Sequence, residues 1–135
     1  MKTRFTTLVL SLLLAASAMA ADTTYQPFVL ASVSDGDLKT GVSSARNALV
    51  AAGFEIAGQY QPLDNAVVIV ATHDLLKEAA AASERGGYAA GQRISVTERD
   101  GKTEVAFINP LYIQYAYRLE ADLQPVLDLL GQTLG

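Results

Sequence analysis

Two alternating segments joined by a tight-turn dipeptide constrain this chain more than any other feature. Arg93–Glu98 and Lys102–Ile108 alternate in side-chain character, and Asp100-Gly101 lies between them. A period of two is typical of a strand with one buried face, and Asp-Gly is favoured in the tightest antiparallel turns. The sequence therefore predicts a β-hairpin and, with it, an antiparallel sheet.

Three further strands are predicted before this hairpin. They cover Phe28–Val33, Phe54–Tyr60 and Ala66–Ala71, with a turn from Pro62 to Asn65 between the second and third. The third run is continuously apolar rather than alternating. It therefore suits a central strand covered on both faces, or one face of a dimer interface.

Helical patterns flank these strands. Leu38, Val42, Ala45, Leu49 and Ala52 recur at helical spacing up to Gly53, which ends the helix. An Ala-rich helix follows Thr72-His73-Asp74, reaches about Ser83 and is ended by Gly86-Gly87. A short helix runs from Pro110 to Tyr117, and a last one begins near Asp122 with Pro125 in its first turn. Consecutive strands flanked by helices favour an α+β fold, an antiparallel sheet layered with helices on one face.

The first twenty residues have the pattern of a secretory signal peptide. Lys2 and Arg4 supply a positive start, Leu8–Ala15 is apolar, and Ala18-Met19-Ala20 is a small-x-small cleavage site. The apolar segment is shorter than the roughly 20 residues that span a bilayer. We therefore expect cleavage after Ala20 and export to the periplasm, leaving a tail at residues 21–26, a single α+β domain at 27–135, and no membrane span.

Charge and cysteine content exclude several classes of protein. The 135 residues carry a formal charge of −4; without Lys2 and Arg4, 8 basic residues face 14 acidic ones, which gives −6. Such acidity argues against nucleic-acid binding. Because there is no cysteine, disulfides, thiol nucleophiles and thiolate metal sites are excluded, and stability must come from the core.

Four segments resemble the family known as domain of unknown function 302 (DUF302). They are Gly53-Phe54 after the first helix, the Val67–Val70 strand, Gln92–Val96 before the hairpin, and Asn109–Tyr112. The resemblance extends from about Phe28 to Leu134. It implies a β-α-β-β-β-β-α fold of the TATA-binding-protein-like type, with the Ala-rich helix as an insertion between the middle strands, and a homodimer. It implies no reaction.

One stretch departs from that family's pattern. Many relatives carry Leu-Pro-Cys-Arg where this chain has Ala90-Gly91-Gln92-Arg93, so only the arginine is kept. Any role of the missing cysteine is therefore not transferred to this chain.

Aromatic residues concentrate around the segment after Asn109. Tyr112, Tyr115 and Tyr117, with Tyr88 and Phe107, either line a pocket or partner surface or form a small core between the short helix and the sheet. Arg93 and Arg118 are candidates to contact an anion beside them. The candidate ligand-binding residues are Tyr88, Arg93, Asn109, Tyr112, Tyr115 and Arg118.

His73 is a secondary candidate. As the only histidine it has either a catalytic role beside Asp74 or, more simply, caps the helix that follows. One histidine without cysteine or ligand spacing predicts no metal site, and no cofactor is expected. The segment Gly86–Gly91 lacks a phosphate-loop pattern and is interpreted as a flexible hinge or flap. Glu98 and Glu104 are expected to face each other across the hairpin. They are either a pair that shares acid–base chemistry or, more simply, solvent-facing carboxylates.

Three classes of function remain open. The favoured one is an exported, non-enzymatic module that binds a small apolar or anionic ligand, or a partner protein, through the tyrosine-rich segment. The second is a small enzyme with His73, Tyr88 and Arg93 in one cleft. The third is a structural or stress-related assembly protein. For the favoured class we expect a homodimer, because the Val67–Val70 run is apolar and because the resemblance to DUF302 implies one.

Overall fold

An antiparallel five-stranded sheet forms the framework of the computed structural model, which describes residues 24–135. Its strands are β1 (Phe28–Asp35), β2 (Glu55–Leu63), β3 (Ala66–Thr72), β4 (Gln92–Arg99) and β5 (Lys102–Ile108). Their order across the sheet is β1-β5-β4-β3-β2, so β4 is the central strand. The predicted signal peptide lies outside the described residues.

Helices cover one face of this sheet. They are α1 (Leu38–Ala51), α2 (Asp74–Ala82), α3 (Pro110–Tyr117) and α4 (Gln124–Leu134), with a 3₁₀ turn at Gly86–Ala89. Leu49, Leu76 and Leu130, from three of the helices, are fully buried in one core with the inward side chains of the sheet. The α+β fold is confirmed, and α2 with the 3₁₀ turn is the predicted insertion between the middle strands.

The first helix has clear sequence causes for its start and its stop. At its N-terminus the Asp37 carboxylate accepts a 2.7 Å hydrogen bond from the backbone N–H of Thr40. At its C-terminus Gly53 has a φ of 90°, which other residues rarely adopt. Midway, a Cβ at Gly41 would lie 2.8 Å from Thr103 Cγ2, so the glycine lets the backbone of α1 pack directly on a side chain of β5.

The second strand is longer than predicted. β2 continues through Pro62, and the turn to β3 consists only of Asp64 and Asn65. Proline lacks the N–H needed for a central strand, but β2 is an edge strand and tolerates it.

The glycine-rich segment is packed against α2 at its first glycine. Gly86 and Ala89 are buried, and a Cβ at Gly86 would overlap the backbone carbonyl of Ala80 in α2. Gly86 therefore permits close contact between two backbones, while Gly87 and Tyr88 are exposed; the interpretation of the segment as a hinge or flap stays a prediction.

The hairpin forms as predicted, with Asp100 and Gly101 at φ 53° and 75°. Its two glutamates, however, do not face each other. Glu98 lies opposite Thr103 and Glu104 opposite Thr97, so their side chains point to opposite faces of the sheet. Glu98 accepts a 2.8 Å hydrogen bond from the backbone N–H of Leu38, which ties the hairpin to the start of α1.

The other face of the sheet carries no helix of the described chain, and we call it the open face. It holds the outward side chains of the five strands, with Ser95 near the middle of β4. Val68 and Val70 of the apolar third strand point to this face and are half-buried, while Val67 and Ile69 point to the core. Among residues 24–135, helices therefore cover this strand on one face only. No helix between residues 24 and 135 is long and apolar enough to cross a membrane.

Candidate functional site

Two pairs of stacked tyrosines lie on the surface around α3. The rings of Tyr25 and Tyr115 are 4.6 Å apart with an interplanar angle of 15°, and those of Tyr88 and Tyr117 are 4.3 Å apart at 6°. Tyr115 and Tyr117 are two residues apart, which separates them by about 200° around the helix. The predicted aromatic cluster is therefore two sites on opposite sides of α3.

The first pair is extended by a third ring. Tyr112 precedes Tyr115 by three residues and so lies on the same side of α3. With Tyr25 and Ala116 these residues line a shallow cavity of about 280 Å³. Tyr112 is 41% and Tyr115 56% exposed, so these rings are not a small core. We call Tyr25, Tyr112 and Tyr115 the tyrosine surface.

The Tyr25 hydroxyl stays protonated at neutral pH. A hydrogen bond with the Tyr115 hydroxyl, and to a lesser extent desolvation, raises the pKa of the Tyr25 phenol above its ordinary value. Tyr25 therefore adds an apolar ring with an uncharged polar tip to the tyrosine surface.

The second pair adjoins a polar cleft. Tyr88 is 63% exposed, and its partner Tyr117 lines a cleft of about 220 Å³ at the end of α3. The charged residues in that cleft are Glu84, Arg85, Arg118 and Glu120. Because both signs of charge meet there, the cleft is not selective for anions.

Two predicted site residues have structural roles. Asn109 is buried at the start of α3; its Oδ1 accepts a hydrogen bond from the backbone N–H of Leu111, and its Nδ2 donates one to the carbonyl of Gln26. Phe107 is part of the core. Asn109 fixes the chain on both sides of the tyrosine surface and leaves its amide little capacity for a ligand.

His73 caps α2, as the simpler of the two hypotheses expects. Its Nδ1 accepts a 3.2 Å hydrogen bond from the backbone N–H of Leu75, so this nitrogen carries no proton. The ring packs against Phe54 at 5.0 Å between centroids. These contacts account for the residue without a catalytic role.

The three residues of the hypothetical enzyme cleft have different surroundings. His73 contacts Phe54, and Tyr88 stacks on Tyr117. Arg93 points to the open face, opposite Val70. Its neighbour Gln92 points the other way and is buried in the helix-covered layer, where its Oε1 accepts no hydrogen bond. Each of the three residues thus contacts a different part of the described chain rather than one of the other two.

No group of three or more histidine, aspartate or glutamate side chains between residues 24 and 135 is arranged to hold a metal ion.

Sequence reasoning missed one member of the site. Tyr25 was assigned to a tail, yet it completes the tyrosine surface. The missing signal was the strand pairing: β1 pairs with β5, and the Asn109 N–H donates a 2.9 Å hydrogen bond to the Pro27 carbonyl. That pairing carries residues 25–27 to the start of α3.

The fold of this chain is also found among solved structures. The chain is similar to the crystal structure of an uncharacterized conserved DUF302 protein from Bacillus stearothermophilus, with a TM-score of 0.64 and 12% identity over 82% of this chain and 97% of the other. No family model matches the sequence, and no curated protein matches it. The resemblance to DUF302 is thus supported.

Proposed function

We propose that this chain is an exported, homodimeric, non-enzymatic binding module whose tyrosine surface contacts a small ligand or a partner protein. The observation that carries the proposal is the exposed Tyr25–Tyr115 stack with Tyr112 beside it. The stack joins two distant parts of the chain, and Asn109 anchors both of them.

The chemistry of this surface favours an apolar or aromatic ligand over an anionic one. Tyrosine rings offer large apolar contact with little loss of conformational entropy, and their hydroxyls orient a ligand by hydrogen bonds. Neither candidate arginine belongs to the tyrosine surface: Arg93 is on the open face, and Arg118 lies in the cleft beside Tyr117. A flat ring, or an aromatic or aliphatic side chain of a partner protein, therefore fits best.

Native mass spectrometry of the protein isolated from its own compartment tests this role. We expect the wild type to retain a ligand or partner, and replacement of Tyr112 and Tyr115 by alanine to reduce its occupancy by about tenfold. Tyr88→Ala removes an equally exposed ring from the other side of α3 and is the matched control; His73→Ala tests the enzyme hypothesis.

Each result of that experiment decides between the sites. Loss of the bound species in Tyr88→Ala or His73→Ala but not in the Tyr112/Tyr115 variant contradicts the assignment. Circular dichroism of every variant checks that the fold is kept, since α3 also packs against α4 and the 3₁₀ turn.

Export is supported by the sequence of the first twenty residues, which has the three parts of a secretory signal peptide. N-terminal sequencing of the protein recovered from the periplasm should start at Ala21. A chain that begins at Met1 and stays in the cytoplasm contradicts export.

A further inference from the structure

The open face of the sheet carries eight apolar side chains, where a sheet facing water is ordinarily polar. Its outward apolar side chains are Phe28, Leu30, Val33, Tyr60, Val68, Val70, Ala106 and Ile108. Phe28 is 63% and Leu30 59% exposed. The core of the described chain includes none of the eight. These side chains therefore lie outside the core of the described residues, and none of the eight is fully buried there.

The open face is large enough for a stable interface. Five strands spaced about 4.8 Å apart, each about seven residues long, make a face of roughly 550 Å². Monomeric proteins rarely expose an apolar patch that exceeds a few hundred Å². Two such faces in contact bury more than about 1,000 Å² together, which is the lower range of specific interfaces.

We infer that a second copy of this chain covers the open face, with the two sheets stacked about a two-fold axis that crosses the strands. In this arrangement Arg93 of each protomer lies beside the partner's Glu104. The inference rests on the proposed homodimer and identifies its surface and its symmetry.

The position of the two charges selects this symmetry. Arg93 and Glu104 are the charged side chains nearest the middle of the open face. Arg93 is on the central strand, two residues from Ser95, and Glu104 lies opposite Thr97, two residues beyond Ser95 on the other side. The two charges therefore lie at about equal distances from Ser95, in opposite directions along the strands.

Only one of the two face-to-face arrangements pairs these charges. A two-fold axis across the strands at Ser95 reverses the strand direction and places Arg93 over the partner's Thr97, next to the partner's Glu104. An axis along β4 instead places Arg93 over the partner's Arg93, and such like-charge contacts are strongly unfavourable. In the first arrangement the apolar Leu30 and Val68, which share the row of Ser95 and Ala106, also meet their own copies.

Charged residues at the far end of the face fit the rim of such an interface. Lys102 and Asp35 form a 3.1 Å ion pair at the hairpin end of the sheet, and both are exposed. Protein interfaces commonly have an apolar centre and a polar, hydrated rim. The Lys102–Asp35 pair at the hairpin end of the open face fits such a rim.

Charge exchange tests the pairing. The full-length sequence is expressed in cells, and the processed protein that the cells produce is purified. Sedimentation equilibrium then measures its dimer dissociation constant. Arg93→Glu and Glu104→Arg should each raise the dimer dissociation constant at least about tenfold, and the double variant should return it to within about threefold of the wild type. Arg46→Glu, which reverses an exposed charge on α1, is the matched control and should change nothing.

Crosslinking tests the position of the axis independently. Because the chain has no cysteine, Ser95→Cys introduces a single thiol on the open face. Stacked sheets lie about 10 Å apart, so a short thiol-to-thiol crosslinker should join the two copies efficiently. Ser43→Cys, exposed on α1 on the opposite side of the molecule, is the control and should give little crosslinked dimer.

The outcomes separate this inference from the homodimer itself. A wild type that is monomeric at every concentration contradicts both. A dimer that tolerates both single charge reversals, and that crosslinks through Ser43→Cys rather than Ser95→Cys, keeps the homodimer and overturns the open face as its surface. Single variants that dissociate without rescue in the double variant overturn the axis across the strands.

Discussion

The two faces of the sheet contain similar numbers of apolar side chains but differ in what covers them. On the helix-covered face Ile69, Ile94 and Phe107 are almost completely buried. On the open face Phe28 and Leu30 keep more than half of their surface exposed. Apolar burial stabilises the fold only where water is removed, so the two faces should respond differently to the same substitution.

The largest expected effect is the loss of a buried ring from the covered face. Phe107→Ala should destabilise the domain by about 3–5 kcal/mol, because it removes apolar contacts and leaves a cavity between the sheet and the helices. Leu30→Ala, on the open face, should cost the isolated protomer less than about 1 kcal/mol. Urea unfolding at low protein concentration measures both. Equal losses at the two positions would contradict the contrast between the faces.

The contact between α1 and the sheet should also be sensitive to added volume. Gly41→Ala places a Cβ 2.8 Å from Thr103 Cγ2 in a crowded layer, and we expect a destabilisation of about 1–3 kcal/mol. Gly58→Ala adds the same methyl group on the open face, where nothing lies within 4 Å. Thermal unfolding of the two variants, compared with the wild type, should show a loss for Gly41→Ala alone.

The sequence predicts the covered face better than the open one. The hairpin alternates, so its inward positions Ile94, Val96 and Val105 are evident from their spacing. The apolar members of the open face come mostly from β1 and β3, whose runs are continuous. Such a run does not say which residues point outward, or whether a partner covers them.

The candidate site was predictable only in part, for a similar reason. Tyr112 and Tyr115 share a side of α3 through their spacing, which local reasoning detects. Tyr25 reaches them through the pairing of β1 with β5, a contact between residues 90 positions apart in the chain. Long-range strand pairing has no local signal, and so the third ring and the separation of Arg93 from the tyrosines were not foreseen.

Gln92 is an exception on the covered face, because its buried Oε1 accepts no hydrogen bond there. Gln92→Leu keeps a similar volume and removes an unsatisfied acceptor, so we expect it to stabilise the domain by about 1 kcal/mol. The reference is Ser95→Ala on the open face, which removes a half-buried hydroxyl. Denaturant unfolding shows whether the free energy of unfolding rises or falls in Gln92→Leu. A clear loss of stability would mean that the amide is needed in the core.

The smallest expected effect concerns the pH dependence of stability at the start of α1, one of the helices on the covered face. The hydrogen bond from the Thr40 backbone N–H lowers the pKa of Asp37 below its ordinary value of 3.8, so folding favours the charged cap. Its contribution is fully present above pH 3.8 and is lost as the pH falls through the lower pKa of the folded state. Asp37→Asn retains a side-chain oxygen to cap the helix but does not titrate. Thermal melts from pH 7 to pH 2 should therefore show a shallower acid loss for Asp37→Asn than for the wild type, by a few degrees. Identical acid profiles would show that Asp37 does not link the attachment of α1 to pH.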